Sequence, residues 1–121
     1  MKMPISEIID RYTITKLKSE RTDADVRDEL LVYEKELQQY AVNLDNYILL
    51  MYNINSKIWE TESDIRKGVD LPLEDIGRLA LKVRDLNCER NGIKAAIVDE
   101  FSEGFKEIKI NYKKINYGRD S

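Results

Sequence analysis

Ten apolar residues, Val26, Leu30, Tyr33, Leu37, Tyr40, Leu44, Tyr47, Met51, Ile54 and Ile58, follow one another in alternating steps of four and three, and Ile65 extends the series. Such spacing is the mark of a heptad seam, a narrow apolar stripe along one side of a helix. No glycine or proline interrupts residues 24–67. The pattern predicts one long heptad helix over about 24–67, which at ~1.5 Å per residue would measure about 65 Å.

The flanking segments carry the same signature on a smaller scale. Ser6 is a good N-cap, Glu7 sits in the first turn, and Ile5, Ile8, Ile9 and Tyr12 form a stripe, so a first helix is expected over 6–21. Thr22-Asp23 reads as a turn. After the long helix, Gly68 is placed to be its C′ residue, and Pro72 suits the first turn of a third helix over 73–102. In that helix Ile76, Leu79, Val83, Leu86, Ile93 and Ile97 repeat the stripe. The short loop between the second and third helices makes them antiparallel neighbours. Beyond Gly104, Ile108, Ile110 and Tyr112 alternate with Lys109 and Asn111, the period of a short strand or extended arm, so residues 105–121 are expected to be an arm and tail. The expected fold is all-α: a single-domain antiparallel helical bundle built on one long helix.

Neither short helix is long enough to cover the long one. Around Ile48, Leu49, Leu50, Met51 and Tyr52 that helix is apolar on every face. A homo-oligomer joined near this girdle is therefore expected, the other possibility being cover from the first helix or the arm.

Composition narrows the chemistry. The chain of 121 residues has no histidine, which removes imidazole acid–base chemistry, Ser–His and Cys–His pairs and His-ligated zinc. The single cysteine, Cys88, rules out an internal disulfide and suits a reducing cytoplasm. The longest apolar run, Tyr47 to Tyr52, is far short of the ~20 residues of a membrane span. No secretory apolar stretch opens the sequence, so a cytoplasmic protein with no membrane partner is expected. The five glycines are isolated, so no phosphate-cradling loop exists. Net charge is −3 and gives no reason to expect nucleic acid, although the middle, residues 22–104, is acidic and both ends are mildly basic.

What remains is a set of polar residues on stripes that should be apolar. Lys16 falls near the centre of the stripe set by Ile5, Ile9 and Tyr12. It is either an edge lysine paired with Glu20 or a cation aimed into a pocket beside Tyr12 and Thr13. Arg90 takes the seam position in the series Ile76, Val83, Arg90, Ile97, with Asn87 and Lys94 one turn either side. An arginine there needs a partner, either a carboxylate of the long helix or an anionic ligand matched to the guanidinium fork. Trp59 and Arg66, seven residues apart, share a helix face. They either extend the core or offer a stacking platform with a cation beside it. Glu60, Glu62 and Asp64 lack the companions of a metal cage, and no metal or cofactor is expected.

Three stretches, EIIDRYTITKLKSER (7–21), INSKIWETESDIR (54–66) and DLNCERNGIKAAI (85–97), resemble an uncharacterised family of small helical proteins of bacteria and phages. Members often show "DK-T-I…K…E" near the start, "LW…E…IR" in the middle and "N..R..IK..I" late. Arg11 stands where lysine is usual, and the closing EIKINY (107–112) departs most. The resemblance implies that Asp10, Thr13, Lys16, Trp59, Glu62, Arg66, Asn87, Arg90 and Lys94 carry the family's function. Its members often lie beside glycosyltransferase genes.

The leading expectation is a non-catalytic helical oligomer that binds an anionic small molecule, a nucleotide or nucleotide-derived signal, through Tyr12, Thr13, Lys16, Trp59, Arg66, Asn87, Arg90 and Lys94. Phage proteins that sequester immune signals share this general plan by analogy. The alternatives are an interaction module for a glycosyltransferase or host defence enzyme, with the polar strips setting register, and a nucleotide- or sugar-processing enzyme using carboxylates.

Overall fold

A computed structural model describes residues 3–40, 42–68 and 70–101. These form four helices, α1 (Ile5–Arg21), α2 (Arg27–Gln38), α3 (Asp45–Lys67) and α4 (Leu73–Phe101), with no strand among the described residues. The all-helical expectation holds. The arm expected over 105–121 lies outside the described residues.

The single long helix over 24–67 does not hold: the series is divided between α2 and α3. At the end of α2 the amides of Gln39 and Tyr40 bond to the carbonyls of Glu36 and Leu37, each three residues back and at 3.3 Å, a tightened last turn. At Asn43 the side-chain oxygen accepts the Asp45 amide at 2.9 Å, a local turn that leads into the new helix. Asparagine competes with helical hydrogen bonding in this way, and heptad spacing alone does not register the competition.

The divided series serves two different surfaces. α2 packs on α1, whereas α3 packs on both α1 and α4. In α2 no residue is fully buried. Across the break Leu44, Met51, Ile54 and Ile58 are buried and join Ile5 and Ile9 of α1 and Leu86 and Ile97 of α4 in one core. The start of α3 meets the end of α4, where the Tyr47 hydroxyl donates to Glu100 and its ring stands edge-on to Phe101 at 6.0 Å between centroids.

The helix ends follow from local chemistry. α1 begins one residue earlier than expected, with Pro4 rather than Ser6 at the cap: the Pro4 carbonyl accepts the amides of Glu7 and Ile8, both at 3.0 Å. It ends where Thr22 donates to the Lys18 carbonyl at 2.7 Å and accepts from the Ala24 amide at 3.1 Å. Gly68 closes α3 as its C-cap, with φ −87°, one position inside the C′ place expected. The requirement there is space, because an added Cβ would collide with the Leu71 side chain and stand 3.1 Å from the Asp64 carbonyl oxygen.

The expected apolar girdle is half covered. Met51 is fully buried, Ile48 and Tyr52 are half-buried, and Leu49 and Leu50 remain 59% and 49% exposed. No helix among the described residues is long and apolar enough to cross a membrane.

Candidate functional site

α1, α3 and α4 meet around two neighbouring polar groups. The first is closed, with Asp10, Thr13 and Asn55 buried and Glu7 and Lys94 half-buried at its edge. Asn55 of α3 donates its side-chain amide to Asp10 Oδ1 and to Thr13 Oγ1, each at 2.9 Å. Thr13 donates to the Asp10 carbonyl at 2.9 Å. From α4, Lys94 Nζ lies 3.2 Å from Glu7 Oε2 and 3.6 Å from Asp10 Oδ2. Every one of these groups has a partner, which is the condition under which polar atoms are tolerated in a core. Burial pushes the Glu7 carboxyl up, but the hydrogen bond and charge of Lys94, helped by Arg11, outweigh it and hold Glu7 below the usual glutamate range.

The second group is open. One turn further along α3 and α4 a cleft of about 240 Å³ sits at the three-helix junction. Ile14 and Leu17 of α1 and Ile58 of α3 supply its apolar wall. Trp59, Glu62 and Asn55 of α3 and Asn87 and Arg90 of α4 supply the rest. The Nε of Arg90 is buried and has no hydrogen-bond acceptor among the described residues. No carboxylate among them lies within ion-pair distance of this guanidinium, although Glu62 lines the same cleft. A buried donor without an acceptor is costly, and native proteins carry few of them. The helical register explains its position: Arg90 follows Val83 and precedes Ile97 on the face that α4 turns to the core, and Ile97 is fully buried.

A second cleft of about 370 Å³ adjoins the first along the α3/α4 groove, lined by Glu62, Ile65 and Arg66 and by Ala80 and Val83. Glu62 is common to both. The two clefts together present, in order, an apolar end with an indole and a guanidinium, a carboxylate, and an exposed guanidinium.

The residues singled out in the sequence therefore separate. Trp59, Asn87 and Arg90 converge on one cleft, and Arg66 adjoins it through Glu62. Thr13 and Lys94 belong to the closed group with Asp10. Tyr12 and Lys16 are half-buried and line neither cleft. The pairing of Lys16 with Glu20 is not formed; Glu20 instead accepts the Tyr52 hydroxyl. Sequence reasoning missed Asn55 and Glu7. The signal for Asn55 was present, since it stands four residues after Met51 and three before Ile58 and so on the buried face of α3. Among the described residues no group of three or more His, Cys, Asp or Glu side chains is arranged to hold a metal ion.

No family model matches the chain, and neither a curated protein nor a solved structure is similar to it.

Proposed function

We propose that the protein is a non-catalytic binding protein for an anionic small molecule of the nucleotide class, held in the groove between α1, α3 and α4. The observation that carries this reading is the buried Nε of Arg90, left without an acceptor in a cleft walled by Trp59. A ligand acceptor would remove the cost of that unpaired donor, and the indole offers a flat face to a ring. Trp59, Asn87 and Arg90, each singled out in the sequence, line this one cleft together.

Trp59 is the only tryptophan of the chain, so its emission reports on the cleft directly. Titration with a panel of nucleoside mono- and diphosphates should shift that emission saturably, and Arg90→Ala should weaken the response at least about tenfold, the worth of a hydrogen bond to a charged group. A panel that leaves the emission unchanged contradicts the reading.

A second reading, self-association, is favoured by the exposure of Leu31, Val32, Leu49 and Leu50, each between 49% and 59%. Leu31 and Val32 are neighbours on α2 and Leu49 and Leu50 on α3, and each exposed apolar pair offers a contact surface. Sedimentation should then give a mass above that of one chain, reduced to it by Leu49→Lys with Leu50→Lys. A wild-type chain that sediments as a monomer rules this out.

A further inference from the structure

The two ends of the groove differ in solvation, and that difference orients the ligand. Arg90 lies at the end lined by Ile14, Leu17, Ile58 and Trp59, with its Nε buried. Arg66 lies at the other end and is exposed. A phosphate against Arg90 would bring concentrated negative charge to the end walled by Ile14, Leu17, Ile58 and Trp59, where the Arg90 Nε is buried. Desolvating it there would cost more than one guanidinium returns. A neutral ring edge bearing acceptors satisfies Arg90 without that cost. At Arg66 a phosphate stays hydrated and still gains the guanidinium fork.

Size supports a ligand that uses both ends. The first cleft, about 240 Å³, falls below the roughly 300–1,000 Å³ usual for small-molecule sites and the second, about 370 Å³, lies near its lower edge, so a ligand passing Glu62 would draw on both. Trp59 and Arg66 are seven residues apart on one helix, a rise of about 10 Å, comparable with the reach of a nucleotide from base to phosphate.

Resting on the reading of the groove as a nucleotide site, we propose that it takes a guanine nucleotide with the base inward. The base stacks on Trp59 and presents its O6 and N7 acceptors to Arg90 and Asn87. The ribose hydroxyls donate to Glu62, and the phosphate meets Arg66. Guanine is chosen because an arginine fork matches two adjacent acceptors, whereas adenine sets an amino donor beside N7 and would face donor with donor. A carboxylate accepting from ribose hydroxyls is the arrangement used by dinucleotide-binding folds.

Isothermal titration of the full chain with GMP, AMP, 2′-deoxy-GMP and guanosine tests this. GMP should bind at least about tenfold tighter than AMP, the discrimination a bidentate arginine provides. Arg90→Lys, which keeps the charge and loses the fork, should abolish that preference while the melting temperature shows the fold intact. Arg66→Ala should bring GMP down to the affinity of guanosine and keep the preference for guanine. Glu62→Gln should narrow the gap between GMP and its 2′-deoxy form. Equal binding of GMP and AMP overturns the proposed orientation while leaving a nucleotide site in place. So does an Arg90→Lys chain that keeps its base preference. Absence of binding by all four ligands overturns the site itself.

Discussion

At the scale of the residue, two polar clusters that look alike in sequence behave oppositely. Lys94 and Arg90 are one turn apart on α4. Lys94 is held by Glu7 and Asp10, while the Arg90 Nε has no acceptor. Replacing Asn55 with alanine should leave Asp10 Oδ1 without its amide donor and cost about 1–3 kcal/mol, read by urea denaturation. Glu7 predicts a pH dependence. Its carboxyl is held below the ordinary glutamate range, so its pairing contributes stability that is fully present above that range and lost as pH falls through the lowered value. Wild type should exceed Glu7→Gln in melting temperature at neutral pH, and the gap should close in acid. The seam position of Arg90 was legible because helical periodicity places residues on faces. Its lack of a partner was not, because that depends on which side chains α1 and α3 bring to the same point. Asn55 was legible in principle by the same periodicity.

At the scale of the element, local chemistry overrode the repeat. The alternation from Val26 to Ile58 reports burial well, since Val26, Leu44, Met51, Ile54 and Ile58 are all buried, yet it crosses a break between α2 and α3 without a mark. Burial on both sides of a bend preserves the apolar order as long as each helix keeps its own buried face. The ends of α1 and the start of α4 were legible to within a residue because turn residues and Pro72 announce them. Within α4, Gly92 has nothing within 4 Å of where a Cβ would stand. Gly92→Ala should therefore stabilise the protein by about 1 kcal/mol, the usual gain for alanine over glycine inside a helix. Thermal or urea denaturation reads this, and a loss of stability would mean that another surface approaches this part of α4 closely.

At the scale of the molecule, three helices from separate parts of the chain enclose a core on one side and a groove on the other. The closed group of Asp10, Thr13, Asn55 and Lys94 ties α1, α3 and α4 together directly beside the cleft. Asn55 belongs to both, bonded to α1 and lining the cleft. Such anchoring would hold the proposed site in one geometry before ligand arrives. The all-helical class was legible from the lack of breakers and the helical periods, and the two separate polar faces, Trp59 with Arg66 and Arg90 with Asn87 and Lys94, from register. The meeting of Trp59, Asn87 and Arg90 on one cleft was not, because it needs the packing of α3 against α4. The most direct test is a nitrogen-resolved NMR titration with GMP that follows the Trp59 indole, the Asn87 amide and the Arg90 Nε–H. The proposed groove predicts that these three resonances move together and saturably, with the Lys94 side chain following little. Shifts confined to other parts of the surface, or none at saturating GMP, would contradict it.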